Sequence, residues 1–355
     1  MRTFQILFVA ASFIVIGCTG GRKIRLPERP KLAVYWTSPV MSENEADSLA
    51  RFHLVIADMD NLANNPKSLK RLKRRNRDLI LLCYSNPMEF WDRPYKDRPI
   101  QNQARAEVLA DRQEYLLKQP SGKSATFWNN MQMLNLSVNC PAVKGQKYYE
   151  YMAEFLLKNV LSDPIWDGYF MDNCTGHIAW VGDYGGNNGI DADNDGHRDD
   201  YDTLDRAWYE GTVNFLSHIK QENFLILGNK GAVEFLELVN GKMFEEFPND
   251  YLGDKKAGGW YQCLKNYDSI GSYSVIHARQ IPNNPKHRLF VLSSALMGDG
   301  YYAYAQDFFR WFPEYEDIGK PLQKVKILDN VFERQYEKAT VRVWPEDRRG
   351  EIVYK

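Results

Sequence analysis

Two short runs of this sequence place an acid at the end of an apolar stretch. One is Asp167-Gly-Tyr-Phe-Met-Asp172-Asn173 and the other is Gly241-Lys-Met-Phe-Glu245-Glu246-Phe247. In a parallel barrel every strand opens its C-terminal end on the same face, so a carboxylate at that end points into the mouth. Strand alternation puts Glu245 and Glu246 on opposite sides, and Glu245 is the one assigned to the mouth. A pair of carboxyls facing each other across a sugar ring is what cleavage of a glycosidic bond requires: one attacks or stabilises the cationic transition state, the other protonates the departing oxygen. The expectation is therefore that Asp172 is nucleophile or base and Glu245 the general acid, its pKa raised by Phe244 and Phe247. Carboxyls about 5–5.5 Å apart imply a covalent intermediate, whereas about 6.5–9.5 Å implies direct attack by water.

Residues at other strand ends fit the same chemistry. Tyr35 and Trp36, Asp58 and Asp60, Tyr84, Asn173, His177, Asn229, Glu246 and Tyr302 are the candidate substrate-binding residues. Rings present apolar faces to the C–H surface of a pyranose, and Asp or Asn side chains bind hydroxyls. Trp180, Trp260 and Trp311 are candidates for extending the aromatic surface to further sugar units.

Positioning these residues takes strands at Leu32 to Trp36, Leu54 to Asp58, Leu79 to Tyr84, Gly168 to Asn173, Phe224 to Asn229, Lys242 to Phe247, Tyr273 to His277 and Tyr301 to Ala305. Between them run helical periodicities such as Leu204, Trp208, Phe215 and Ile219, or Tyr148, Met152, Phe155 and Val160. Eight alternating units with apolar strands predict an α/β fold closed as a (β/α)8 TIM barrel. No G-x-G-x-x-G follows the first strand and no G-x-x-x-x-G-K-[ST] occurs, so nucleotide-binding open sheets lose their signal. A long insertion after the third strand holds a helical stretch at Ala104 to Lys118 and a turn at Pro120-Ser121-Gly122. After Pro321 the pattern alternates, in Val331 to Gln335, Thr340 to Trp344 and Glu351 to Tyr354, which predicts a small C-terminal β appendage. The expected division is 1–17 signal, 18–30 tether, 31–322 barrel and 323–355 appendage.

The 355 residues are 44% hydrophobic and 26% charged, with 45 Lys+Arg against 46 Asp+Glu, which excludes a disordered chain and a multi-span membrane protein. Without a basic excess no nucleic-acid partner is expected, and the run Lys67 to Arg77 reads as the solvated face of a helix. There is no G-x-S-x-G and no H-E-x-x-H, which argues against esterase and zinc-protease chemistry.

The N-terminus carries an address. Arg2 precedes an apolar run from Ile6 to Ile16, too short to span a bilayer, which reads as a signal-peptide core. It ends in Val15-Ile16-Gly17-Cys18, which resembles a bacterial lipobox. That resemblance implies cleavage before Cys18, its acylation, and attachment to the cell envelope; no acid follows Cys18, and the outer membrane is expected. The other cysteines, Cys83, Cys140, Cys174 and Cys263, allow two disulfides in three connectivities and have no CxxC spacing for zinc.

Further stretches, Gly189-Ile-Asp-Ala-Asp-Asn-Asp-Gly-His-Arg-Asp-Asp200, Leu227-Gly-Asn-Lys230, Ala295-Leu-Met-Gly-Asp-Gly-Tyr-Tyr-Ala-Tyr304 and Trp311-Phe-Pro-Glu-Tyr-Glu-Asp-Ile-Gly-Lys-Pro321, join the two acidic runs in one pattern. Together they resemble hypothetical glycosyl hydrolase family 15 over most of residues 31–345. The resemblance implies a TIM-barrel glycosidase with one acid on the fourth strand and another on the sixth; a carbohydrate substrate and no organic cofactor are expected. A lipid-anchored hydrolase of oligo- or polysaccharides is the leading expectation. A non-catalytic carbohydrate-binding lipoprotein on a degenerate barrel is the alternative.

The acidic loop also matches a cation site. Asp191, Asp193, Asp195, Asp199 and Asp202 fall at positions 1, 3, 5, 9 and 12 of a calcium loop, with Gly196 at position 6 and the carbonyl of His197 at position 7. Position 12 is Asp rather than the usual Glu. A structural Ca2+ bracing this loop is expected.

Overall fold

The computed structural model describes residues 26–248, 259–278 and 284–355. The signal, Cys18 and most of the tether lie outside them.

The strands, in chain order, are β1 (Leu32–Trp36), β2 (Leu54–Asp58), β3 (Ile80–Ser85), β4 (Glu89–Trp91), β5 (Met131–Met133), β6 (Gly168–Met171), β7 (Leu225–Asn229), β8 (Gly241–Phe244), β9 (Val275–Ala278), β10 (Tyr301–Gln306), β11 (Lys326–Leu328), β12 (Val331–Gln335), β13 (Ala339–Trp344) and β14 (Arg349–Tyr354). Eight of them close a parallel barrel in the order β1-β10-β9-β8-β7-β6-β3-β2. This is the TIM-barrel architecture read from the sequence, and the first two strands have the expected bounds.

Closure follows from two-sided burial. Alternate residues Ala33, Tyr35, Leu54, Ile56, Leu82, Phe170, Leu227, Met243, Val275, Tyr301 and Ala303 fill the interior. Their neighbours Val34, Val55, Leu81, Tyr169, Ile226 and Ile276 pack outward against the helices. Each fully buried aliphatic side chain contributes about 1.5–3 kcal/mol, and because both faces are buried a one-residue register slip would exchange the two sets.

The helices are α1 (Glu43–Leu49), α2 (Asn61–Asn64), α3 (Pro66–Arg75), α4 (Pro99–Asp111), α5 (Tyr148–Leu156), α6 (Tyr201–Ile219), α7 (Trp260–Ile270) and α8 (Pro285–Ala295). Helix α3 buries Leu69 and Leu72; Lys67, Lys70, Arg74 and Arg75 face solvent as expected, while Arg71 and Lys73 are half-buried in ion pairs with Asp47 and Asp167. Helix α6 starts one turn earlier than its apolar stripe because Asp200 caps it, accepting from the Thr203 N–H at 3.0 Å. Among the described residues no helix is long and apolar enough to cross a membrane.

The insertion between β3 and β6 carries β4 paired antiparallel with β5, and helix α4, which begins and ends several residues before the stretch read from the sequence. The C-terminal strands β11 to β14 form one antiparallel sheet, with β11 an addition to the three expected. Arg334 of β12 ties this sheet to the barrel by donating to the carbonyls of Leu296 and Gly298 and pairing with Asp299. Among the described residues no disulfide is formed: Cys83, Cys140 and Cys174 are buried thiols, and Cys263 is buried in α7.

Candidate active site

Three neighbouring strands end in the same local device. Asp172 follows β6, Asn229 ends β7 and Glu245 follows β8, and the next residue in each case is left-handed: Asn173 at φ 49°, Lys230 at φ 83° and Glu246 at φ 55°. A left-handed residue turns the chain sharply and carries strain of about 1–3 kcal/mol, so the strand ends with its polar side chain at the rim. In two of the three the turn is closed by the side chain itself. The N–H of Asn173 donates to Asp172 Oδ1 at 2.8 Å, and that of Lys230 to Asn229 Oδ1 at 2.8 Å.

The three side chains meet. Asn229 Nδ2 donates to Asp172 Oδ1 at 2.8 Å and to Glu245 Oε2 at 2.8 Å. Both oxygens touch one nitrogen, so they are at most about 5.6 Å apart (2 × 2.8 Å), within the span of a paired-carboxylate site. The Tyr84 hydroxyl, from β3, donates to the other Asp172 oxygen at 2.7 Å. Asp172 is thus held by three donors from three different segments.

Electrostatics separates the two acids. Burial pushes the Glu245 carboxyl above its ordinary range and the charge of Asp172 adds to it, with the Asn229 hydrogen bond opposing. The phenols of Tyr84 and Tyr35 are likewise raised by burial and then by Asp172. Glu89 of β4 is a further buried carboxyl, pushed up to about 7 chiefly by burial, accepting from Asn86 and from the Trp128 N–H.

Behind the pair, Lys242 of β8 is fully buried and donates to the Cys174 carbonyl at 2.9 Å, with the Cys174 sulfur at 3.3 Å. This links the Glu245 strand to the turn after Asp172. Gly228 makes the space: a Cβ there would lie 2.6 Å from the Cys174 sulfur and 3.2 Å from the Lys242 Cδ.

A cleft of about 370 Å³ opens beside Asp172 over the ends of β10, β1, β2 and β3. Its walls include Thr37, Tyr84, Trp91, Arg98, Trp128 and Gln306. That volume falls in the range of small-molecule sites. Glu245 lies on the opposite side of Asp172, on the arc of β7 and β8.

The sequence-derived residues divide. Asp172, Glu245, Asn229 and Tyr84 converge, and Asn173 supplies the turn beneath them. Asp58 lines the cleft but is spent on an ion pair with Arg98 at 2.7 Å. Asp60 is fully buried and accepts the Ile100 N–H at 2.7 Å, which anchors the start of α4 instead of meeting the cleft. Burial raises both carboxyls; Arg98 opposes this at Asp58, and the Asp58 charge adds to it at Asp60. Tyr35 faces inward one layer down, packed on Tyr84 and Phe170.

Trp36 and Tyr302 face the outer layer, against Phe309 and Tyr315 respectively, because the residues next to them, Tyr35 and Tyr301, occupy the interior. Glu246 is exposed beyond its turn. His177 is exposed, with its ring nitrogens 3.0 Å from Asp205 and 3.2 Å from Glu234, away from the cleft lining. Trp260 is buried and Trp311 packs on Phe52 and Arg51, so of the three tryptophans proposed for a platform only Trp180 is exposed. Arg98, Trp91, Trp128 and Gln306 escaped sequence reading; the only signal for the first three was their place in the long insertion.

In the acidic loop, carboxylate oxygens of Asp191, Asp193 and Asp195 lie within 4.8 Å of one another. Asp191 accepts the N–H groups of Asp195 and Gly196 at 3.0 and 2.9 Å, folding the loop back on itself. Asp199 accepts from the Ala192 N–H, His197 is exposed beside Asp195, and Asp202 lies in the first turn of α6, outside the group.

The profile of hypothetical glycosyl hydrolase family 15 matches residues 73–340. No curated protein matches the sequence significantly. Solved structures with a similar course of the chain include a maltogenic α-amylase from Thermotoga neapolitana, at 9% identity and TM-score 0.49 over 88% of this chain and 85% of that one. A Flavobacterium johnsoniae dextranase complexed with isomaltotriose aligns at 14% identity and TM-score 0.49, covering 83% of this chain and 39% of that one. The PgaB glycoside hydrolase domain from Bordetella bronchiseptica aligns at 11% identity and TM-score 0.45, covering 80% and 96%. The fold assignment rests on the strand order itself.

Proposed function

Because the chain belongs to hypothetical glycosyl hydrolase family 15, a family of glycosidases, we propose that it hydrolyses an oligo- or polysaccharide with retention of anomeric configuration. Asp172 attacks the anomeric carbon while Glu245 gives its proton to the departing oxygen. The resulting glycosyl ester on Asp172 is then cleaved by water, whose proton returns to Glu245. The observation that carries this reading is the single Asn229 amide bonded to both carboxylates, which keeps those two oxygens close together and so supports the shorter spacing of a covalent route. Burial and the charge of Asp172 push the Glu245 carboxyl upward, the direction a proton donor requires.

The test is hydrolysis across a glycan panel with Asp172→Asn as the blank, followed by proton NMR of the first anomer released. Release of the inverted anomer would sink the covalent route, and an inert wild type across the panel would favour the non-catalytic reading.

We also propose that Asp191, Asp193 and Asp195 hold a Ca2+ that braces the loop between β6 and α6. Support comes from the mutual approach of their oxygens, which suits a hard cation with ligands at about 2.3–2.6 Å. EDTA should lower the melting temperature by about 5 °C while leaving residual activity, and Ca2+ but not Mg2+ should restore it. A melting curve indifferent to both would remove the ion from the account.

Anchoring through an acylated Cys18 to the outer membrane completes the proposal. It suits the described chain, which enters β1 from the barrel's N-terminal end, opposite the mouth. Metabolic labelling with an alkyne fatty acid should mark the wild type and not Cys18→Ala, and equal labelling would refute it.

A further inference from the structure

Resting on the glycosidase reading, we infer that this is an endo-acting enzyme, binding a polysaccharide chain that runs from the carboxylate pair over Trp128 onto Trp180 and Tyr184. Trp128 is 57% exposed, Trp180 39% and Tyr184 49%. No other tryptophan among the described residues is exposed to that degree. The rings are not scattered. Phe127 touches all three, with ring centres 5.0 Å from Trp128, 5.3 Å from Trp180 and 5.6 Å from Tyr184, and Trp180 meets Tyr184 at 5.6 Å.

The patch adjoins the cleft at one end and the rim turn after Asn229 at the other. Trp128 lines the cleft that contains Asp172. At the other end the ammonium of Lys230, the residue after Asn229, lies 5.7 Å over the Trp180 ring.

Two segments distant in sequence build this surface and are locked together beneath it. Asn187 Nδ2 donates to the Thr126 carbonyl at 2.7 Å and the Val181 carbonyl at 2.9 Å, and the Thr126 N–H donates back to Asn187 Oδ1 at 3.2 Å. Gln119 accepts from the Asn188 N–H at 3.0 Å. The fold thus holds large aromatic rings rigidly in water, at a hydrophobic cost that core packing would have avoided. Rings held half-exposed along a cleft rim match the C–H faces of consecutive sugars, and they cost little conformational entropy on binding. Such a surface is wasted on a substrate that ends at the cleft, which is why the chain is assigned as long and cut internally.

Affinity electrophoresis through gels containing dextran, xylan, glucomannan or glycol chitosan tests this on the full chain. At least one polymer should retard the wild type and Asp172→Asn alike. The Trp180→Ala/Tyr184→Ala double variant should bind that polymer about tenfold more weakly, and Trp180→Phe/Tyr184→Phe should recover most of the loss. Near-UV circular dichroism and melting curves of the variants control for folding. Undiminished retardation of the double alanine variant would overturn the platform and leave the glycosidase standing. So would a wild type that cuts short glycosides but is retarded by no polymer. A wild type that neither binds nor cuts any glycan would overturn both readings.

Discussion

Asp172→Asn is expected to lower kcat by on the order of 10⁴-fold or more, with substrate affinity largely kept. The substitution preserves shape, so hydrogen bonds with the Tyr84 hydroxyl and the neighbouring amides can partly re-form, but an amide cannot attack the anomeric carbon. The geometry makes compensation difficult. The carboxylate is fixed by the Tyr84 hydroxyl at 2.7 Å, the Asn229 amide at 2.8 Å and the Asn173 N–H at 2.8 Å, and no other acid among the described residues shares that set of donors. A loss of 10⁴ corresponds to about 5 kcal/mol of transition-state stabilisation. Azide supplied to Asp172→Gly should recover turnover and yield a glycosyl azide of inverted configuration. A variant within tenfold of the wild type on any cleaved glycan would remove Asp172 from the nucleophile's role.

Glu245→Gln carries the second large effect, a loss of about 10²–10⁴-fold in kcat on substrates whose leaving group needs a proton. Aryl glycosides with acidic phenols should be spared in the first step, because their oxygen departs without help. The pH dependence has a defined sign. Burial and the Asp172 charge favour the neutral carboxyl, so Glu245 stays protonated to higher pH than an exposed glutamate, and activity should fall on the alkaline side as that proton is lost. Glu245→Gln, which cannot ionise, should lose this alkaline limb. The same shift has a cost for folding. A carboxyl whose folded pKa lies above its unfolded value stabilises the protein fully only below the unfolded pKa, and that contribution disappears as pH rises through the folded one. Glu245→Gln should therefore flatten the decline in melting temperature over that interval. An unchanged alkaline limb in the variant would assign the proton donor to another group, with Glu89, pushed up to about 7, the next residue to substitute.

Much of the architecture is legible in the sequence. The eight barrel strands are short apolar runs between helical periodicities, and both signals are local: a strand buried on two faces needs consecutive apolar residues, and an amphipathic helix needs them every third or fourth position. For the same reason the acids that close β6 and β8 could be picked out, since a charged residue ending an apolar strand has few places to go but the rim. The residues that failed did so at the next level. Trp36 and Tyr302 are one position away from residues that do point inward, and the alternation phase is set by pairing with strands far along the chain. Asp60 looked like a rim acid until α4, some forty residues later, put its first N–H groups on it.

What the sequence by itself determined is the kind of surface each segment must bury, and with it the closed barrel and the two acidic strand ends. Only the tertiary structure decided the distances between them. It set the Asn229 amide between two carboxylates seventy-three positions apart, placed Lys242 under Cys174, and brought the insertion's Phe127 against the rings of the loop that follows β6. Such contacts depend on how the ring of strands closes and on which backbone turns left-handed at its rim, and neither is encoded in any window short enough to be read along the chain.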